Sequence, residues 1–263
     1  MSSKKPPSKR VPKVVVVINQ KGGPGKTTLA FHLAHAAAAM SKNAKVLCLD
    51  LDSQGNLSQY LTDNLEISLH TQGGVGSLLE GRPLEPMGTS HPQIQLLHGH
   101  KELDRYDADP DANEHAWSPM MRDTLRSLDY DYIIIDTPPA LGLRHLAPLF
   151  WADKALIPME AAMSGIAGFQ DVVKVIDESI TSMNPEIEWV GIINRASKAV
   201  RSHREKEEFM RQNYGDRILE TLTARTGVAD AMEQIPALPV WQHKGTPREL
   251  RELWLRNCKA VLK

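Results

Sequence analysis

The sequence is short of cysteine, of long hydrophobic runs and of charge of one sign, and each shortage excludes a class of protein. Its 263 residues include two cysteines, Cys48 and Cys258, which give neither a disulfide framework nor the spacing of a metal site. No apolar stretch approaches the roughly 20 residues that a membrane-spanning helix needs. The formal net charge is -1, so any nucleic-acid surface must be a local patch. We therefore expect a cytoplasmic protein.

The first residues differ in composition from the rest. Residues 1–12 are basic and rich in proline and serine, which is typical of a flexible tail. The apolar run that follows, residues 14–18, is too short for a signal peptide. We expect residues 13–263 to form a single domain, because their number suits one large core.

Five aliphatic runs predict strands buried on both faces of a sheet: residues 14–18, 46–49, 133–135, 155–157 and 190–193. Helical patterns lie between them, at residues 28–40, 120–128, 168–183 and 201–213. Alternating strands and helices predict an α/β fold with a doubly wound, mostly parallel sheet flanked by helices.

Two polar segments interrupt this alternation. Residues 99–119 are rich in aspartate, histidine and proline, and we predict a solvated surface excursion there. Its acidic group, Asp107, Asp109 and Asp111, lacks the glycine and the terminal glutamate of a calcium-binding loop. The glycine cluster at residues 73–76 predicts a turn before a short helix.

A glycine-rich loop, residues 21–28, lies between the first predicted strand and the first predicted helix. Glycines let backbone N–H groups wrap around phosphates, and the helix directs its positive dipole end at the same anion. Lys26 is placed to contact the β- and γ-phosphates, and the Thr27 hydroxyl to bind Mg²⁺. The predicted phosphate-binding residues are Gly22, Gly23, Pro24, Gly25, Lys26, Thr27 and Thr28.

This loop departs from the standard P-loop motif, because Gln20 stands where that motif has its first glycine and Lys21 adds a second lysine. In this it resembles the deviant Walker A box of the ParA/MinD family of ATPases, and Asn19-Gln20 matches the ParA-like form. The resemblance implies a weak, partner-stimulated ATPase that uses ATP and Mg²⁺. It also implies an ATP-dependent homodimer in which Lys21 reaches the nucleotide of the partner subunit, so that Lys21, Lys26 and Asp52 serve catalysis.

Two further segments resemble motifs of the same family. Residues 50–56 are similar to its D-x-D-P-Q-G-N segment, with Ser53 in place of proline. By resemblance Asp52 activates water and Asp50 supports Mg²⁺. Residues 131–139 resemble the Walker B strand, which implies that Asp136 lies in the second shell of the metal. The predicted metal set is therefore Thr27, Asp50 and Asp136.

The later motifs are less specific. Asn194 follows the fifth predicted strand, where family members place an adenine-contacting asparagine, and the turn at Pro236 resembles the segment beside the base. An asparagine after a strand is also a common turn residue, so both interpretations of Asn194 stay open.

Basic residues gather in the last third of the sequence. ParA relatives bind DNA without sequence preference through such residues, and the resemblance implies this here, although the usual basic motif after the fifth strand is not kept. Glu205, Glu207 and Glu208 interleave with the arginines, as on an ordinary solvated helix face. The predicted DNA-binding residues are Lys198, Arg201, Arg204, Arg225, Lys244 and Arg248.

The resemblance as a whole implies a dimeric switch at the nucleoid that positions a plasmid, a chromosome or another cargo through a ParB-like partner or an adaptor. A protein cargo is one alternative. Another is a MinD-like membrane-positioning ATPase, for which residues 248–262 form a candidate amphipathic helix. No linker precedes that segment, so we expect it to pack on the domain, with no stable membrane association. A metabolic P-loop enzyme or iron–sulfur reductase is a third, but the cysteines are misplaced for the reductase.

Overall fold

The computed structural model describes residues 11–224 and 226–263. Most of the predicted tail, residues 1–10, and the predicted DNA-binding residue Arg225 lie outside the described residues. The strands are β1 (Lys13–Val17), β2 (Val46–Asp50), β3 (Met87–Gly88), β4 (Ile94–Leu97), β5 (Tyr132–Asp136), β6 (Lys154–Glu160) and β7 (Glu188–Asn194).

Helices connect the strands and flank the sheet. The helix predicted at 168–183 begins earlier than expected, at Met163. A π-helical turn, Ile176–Ile180, joins its first part, α7, to its last part, α8. The helices are α1 (Lys26–Ala38), α2 (Asn56–Thr62), α3 (Gly74–Leu79), α4 (Pro110–Ala116), α5 (Pro119–Ser127), α6 (Leu143–Trp151), α7 (Met163–Val175), α8 (Thr181–Met183), α9 (Arg201–Tyr214), α10 (Thr226–Met232) and α11 (Arg248–Leu262).

Within the described residues, seven strands form one sheet in the order β3-β4-β2-β5-β1-β6-β7. All pairings are parallel except that of β3 with β4. The five predicted strands are all present, which confirms the doubly wound fold. The two strands that were not predicted are a four-residue strand and a two-residue strand, each too short for a periodic signal.

The core lies on both faces of the sheet, as the uninterrupted aliphatic strands predict. Val14 and Val16 of β1 pack with residues of α5, α6 and α7 on one face. Val15 and Val17 point the other way, toward α1 and α11. Because β1 pairs with both β5 and β6, the loop that follows it lies between the carboxyl ends of its neighbours, the position where parallel α/β sheets bind ligands.

The prediction of a solvated loop at residues 99–119 is wrong. The segment contains a 3₁₀ turn, Leu103–Ala108, and α4, and Leu103 and Tyr106 are buried in the core. Two of the three acids that suggested a loop have structural partners: Asp109 caps α4 by accepting from two backbone N–H groups, and Asp107 pairs with Arg144. Within the described residues no group of three acids, histidines or cysteines is placed to hold a metal.

The carboxyl-terminal helix α11 packs against α1, as expected. Its apolar side chains are buried, with Leu250 6% exposed and Trp254 2% exposed. Among the described residues, no helix has the length and apolar character required to cross a membrane. The face that a membrane-binding helix needs is thus already used in the core.

Candidate active site

The glycine-rich loop leaves the end of β1 and runs into α1. Gly23 and Gly25 adopt φ angles of +91° and +90°, a left-handed conformation that disfavours other residues. A Cβ atom on Gly25 would lie 2.5 Å from Nδ2 of Asn194. The loop can adopt this tight left-handed conformation because both positions are glycine.

Two buried asparagines hold this loop against neighbouring strands. Asn194, at the end of β7, donates from Nδ2 to the Pro24 carbonyl over 2.8 Å. Asn19 donates to the Pro158 carbonyl over 2.7 Å and accepts from the backbone N–H of Lys21 over 2.8 Å. The loop is thus tied to β6 on one side and to β7 on the other.

Lys26 is the first residue of α1 and is only 7% exposed. Its Nζ donates to the Lys21 carbonyl over 3.3 Å. Burial lowers the pKa of Lys26, and the charges of Asp136 and Asp52 offset part of that effect. The ammonium group therefore lies within the influence of two carboxylates at the mouth of the loop.

Asp136, the last residue of β5, is fully buried and both of its carboxylate oxygens lack a hydrogen-bond partner among the described residues. Burial raises the pKa of Asp136 well above its usual range, and the charge of Asp50 raises it further. The nearby Thr27 hydroxyl offsets part of that rise without forming a hydrogen bond of ordinary geometry. A buried anion without partners is costly, and a divalent cation shared with Thr27 would satisfy it. The residues present therefore fit Mg²⁺.

Asp50 lies beside Asp136, since the two are paired residues of β2 and β5. It accepts from both the backbone N–H and the hydroxyl of Ser58, over 2.8 and 2.6 Å. Burial raises the pKa of Asp50 to about 6, although the bonds from Ser58 act in the opposite direction. Its bonds to Ser58 fix the loop that begins at residue 51, and its predicted support of Mg²⁺ stays a prediction.

Asp52 and Lys21 are the more accessible members of the predicted catalytic set. Asp52 is half-buried, and its Oδ1 accepts from the backbone N–H of Gln54 over 3.0 Å, which shapes the loop at Ser53. Lys21 is exposed and makes no ion pair with any described residue. The Asp52 carboxylate is thus close enough to Lys26 to raise the pKa of that lysine, whereas the Lys21 side chain extends into solvent.

A cavity of about 230 Å³ adjoins the phosphate loop at Thr28 and Asn194. Pro236 is exposed and does not line it, whereas Asn194 does and also holds the loop. Sequence reasoning missed most of the lining because it comes from separate segments without a shared motif. The other lining residues are Tyr60, Arg195, Thr223, Ala224, Val228, Ala229, Met232, Glu233 and Trp254.

The structure describes five of the six predicted DNA-binding residues, and all five are exposed. Lys198, Arg201 and Arg204 are exposed at the start of α9, and Lys244 and Arg248 are exposed at the start of α11. A groove of about 830 Å³ separates these segments, and Lys198 and Pro247 are among its lining residues. Of the predicted residues that the structure describes, only Lys198 lines this groove; the other four are exposed on the two segments that flank it.

Comparisons with known proteins identify relatives across most of the chain. A family model described as an AAA domain matches residues 12–189. The chromosome partitioning protein ParA of Myxococcus xanthus is 32% identical over 263 residues, covering 96% of this chain and 86% of the relative. The chromosome-partitioning ATPase Soj of Thermus thermophilus is 31% identical over 217 residues, covering 80% of each.

Solved structures share the fold. The ATP complex of McdA from Cyanothece superposes with a TM-score of 0.79 at 20% identity, over 96% of this chain and 98% of the other. At that identity the likeness concerns the arrangement of the sheet and its helices.

Proposed function

The chain belongs to the ParA/Soj family of chromosome-partitioning ATPases, and we propose that it is a nucleotide-dependent dimeric switch that positions DNA or another large cargo in the cell. It is an ATPase, and its cofactors are ATP and Mg²⁺. The observation that carries the proposal is the buried Asp136 carboxylate beside the glycine-rich loop and Lys26, which has no hydrogen-bond partner among the residues that the structure describes.

The chemistry follows from the side chains at this site. Backbone N–H groups of residues 22–28, except Pro24, which has none, bind the phosphates, and Lys26 neutralises charge on them. Thr27 and Asp136 would hold Mg²⁺, and the ion would supply further neutralisation of the phosphate oxygens. Asp52 orients the attacking water, and the bond between the γ-phosphorus and the β–γ bridging oxygen breaks to give ADP and phosphate.

Dimerisation is proposed to depend on Lys21. Its backbone carbonyl is held by Lys26, whereas its side chain is exposed and unpaired within the described residues. In the ATP-bound state it contacts the nucleotide of the second copy. ADP lacks the γ-phosphate and so loses that contact, which loosens the dimer.

The output is proposed to be DNA binding by the dimer through the groove between α9 and α11. In this proposal residues 13–263 act as one ATPase domain, which is cytoplasmic and associates with the nucleoid. A ParB-like partner or an adaptor selects the cargo, which is DNA or a protein assembly. The MinD-like alternative requires α11 to release its apolar face for a membrane. The burial of Leu250 and Trp254 in the core favours the ParA-like function.

The particle mass in solution tests this switch. Light scattering should show a dimer with ATP and Mg²⁺ and a monomer with ADP or without nucleotide. Lys21→Ala should weaken ATP-dependent dimerisation more than ATP binding, since the lysine acts on the second copy. Lys42→Ala is the matched control, because Lys42 is an exposed lysine at the opposite end of the sheet. Equal mass in all three nucleotide states would refute the dimeric switch.

Hydrolysis has its own variant. Asp52→Ala should keep ATP binding and dimerisation but lose turnover, so that the dimer persists after ATP is added. Phosphate release measured beside light scattering checks this. Wild-type turnover in this variant would show that another group orients the water.

A further inference from the structure

Arg144 occupies an unusual place for an arginine. It lies in the first turn of α6 and is 1% exposed. Its Nη1 donates to the Leu51 carbonyl over 3.0 Å. Its Nη2 donates to carboxylate oxygens of Asp104 and Asp107, each over 2.7 Å, and its Nε donates to Asp107 over 3.2 Å. Such a buried cation persists only where its donors are satisfied.

The Leu51 carbonyl is the informative partner, because Leu51 is buried between Asp50 and Asp52. The helix that carries Arg144 begins directly after the loop of residues 137–142, which follows Asp136. The guanidinium therefore joins two loops that enclose the phosphate site from different strands. A charge-assisted hydrogen bond to a carbonyl is stronger than a neutral one, so Arg144 holds the backbone at Leu51 firmly against α6.

Asp107 completes this arrangement from a third segment. Its Oδ1 accepts from the backbone N–H of Arg144 over 3.1 Å. This N–H lies at the amino-terminal end of α6, where the helix dipole favours an anion. A Cβ atom on Gly142 would lie 2.6 Å from Cγ of Asp107, so the carboxylate fits only because residue 142 is glycine. The acidic segment before α5 thus supplies the counterions of Arg144.

We propose that Arg144 is a positioning residue for ATP hydrolysis: it fixes the Leu51 carbonyl, and thereby sets the position of Asp52 relative to the loop after Asp136. The proposal rests on the proposed ATPase function. Displacing a catalytic group by about 1 Å costs up to roughly 100-fold in rate. Loss of the Arg144 fork should therefore lower turnover while the phosphate loop, which Arg144 does not contact, still binds ATP.

Arg144→Lys tests the proposal. Lysine keeps the charge but lacks the planar fork that serves a carbonyl and two carboxylates together. We expect kcat to fall on the order of 10-fold while KM for ATP changes less than about 2-fold. Hydrogen exchange of the amides at residues 51–55 should be faster than in the wild type, because the loop has lost its anchor.

Arg126→Lys is the matched control. Arg126 of α5 pairs with Asp153 at the amino-terminal end of β6, remote from the phosphate loop. This variant should leave kcat and the exchange of residues 51–55 unchanged. If Arg144→Lys does not fold, the double variant Arg144→Met, Asp107→Asn replaces it, since removing both charges avoids an unpaired buried ion, and it should show the same loss of kcat.

Two outcomes separate the hypotheses. If the wild-type chain shows no ATP hydrolysis that depends on Lys26, the proposed function fails. If it does, and Arg144→Lys turns over at the wild-type rate or loses kcat only as much as Arg126→Lys does, the positioning role is overturned and the ATPase function stands.

Discussion

The carboxyl end of the sheet and the surface formed by α9 and α11 treat charge in opposite ways. At the sheet, Asp136 is buried with no hydrogen-bond partner in the described part of the chain, and Lys26 is buried beside it. On the surface, exposed arginines are matched by glutamates one helical turn away, as in Arg201–Glu205 at 2.7 Å and Arg248–Glu252 at 2.6 Å.

This difference explains why a ligand can be inferred from the residues at the carboxyl end of the sheet but not from those on α9 and α11. Burying a charge without a partner is expensive, so a site that retains one indicates a ligand of opposite charge. An exposed ion pair contributes little, and its charges are largely screened. The unpaired buried charge therefore points to a cation at the glycine-rich loop. The groove between α9 and α11 is lined by both basic and acidic residues, so its fit to DNA rests on the resemblance to the family.

The sharpest test of this contrast is Lys26→Ala. Removing a buried charge from the phosphate loop should lower ATP affinity by about 100-fold or more. Isothermal titration with ATP and Mg²⁺ measures the loss. Lys154→Ala is the control, because Lys154 is buried to a similar degree, at 8% exposure, but pairs with Glu188 at the other end of the sheet. Unchanged affinity in Lys26→Ala, or an equal loss in the control, would refute the P-loop assignment.

A second test concerns acid sensitivity beneath the phosphate loop. His32 of α1 accepts from the backbone N–H of Val240 over 3.0 Å, and its other ring nitrogen lies 2.6 Å from the Thr28 carbonyl. Burial lowers the pKa of His32 from 6.5 to about 4. The unfolded chain therefore takes up the proton first, and the stability from neutral His32 is present above pH 6.5 and is lost as pH falls toward 4.

From pH 7 to pH 5 this loss amounts to about 2 kcal/mol of unfolding free energy. His32→Gln keeps an acceptor but has no titrating ring, so its stability should fall less over that interval. Urea unfolding at both pH values checks this, with the exposed His70→Gln as the control. An identical pH dependence in wild type and His32→Gln would contradict the assignment.

The smallest expected effects are on DNA binding. Lys198 and Lys244 are exposed and have no ion pair within the described part of the chain, whereas Arg201 and Arg248 are already paired with glutamates. Lys198→Ala and Lys244→Ala should each weaken binding about 3-fold and lower the salt slope by about 1. The two arginine-to-alanine variants should cost less. Fluorescence anisotropy at several salt concentrations with ATP measures this, and a larger loss for the arginines would reverse the comparison.

The parts of the fold that could be predicted are those whose residues form a continuous apolar run in the sequence. Five aliphatic runs became β1, β2, β5, β6 and β7, because a strand buried on both faces must be apolar throughout. The short strands β3 and β4, next to each other at one side of the sheet, carry no such pattern. The segment at 99–119 misled because its acids suggested solvent, although Asp107 lies against Arg144 and Tyr106 is buried.

The candidate site divides in the same way. The glycine-rich loop, Asp52 and Asp136 follow strands directly, so their meeting at one edge of a parallel sheet was predictable. The cavity beside Asn194 is lined by six separate segments, and Pro236, which was expected there, is exposed outside it. Long-range contacts of this kind leave no periodic or local signal in a single sequence.

The packing of α11 on α1 makes one tryptophan a built-in optical probe. The indole of Trp254 lies 4.4 Å from the imidazole of His32, measured between ring centroids, and α1 begins at Lys26. Any displacement of that helix when the triphosphate arrives alters the surroundings of the indole. Because the chain has five tryptophans, an ATP-dependent change in emission that Trp254→Phe abolishes would report such a displacement without an attached label.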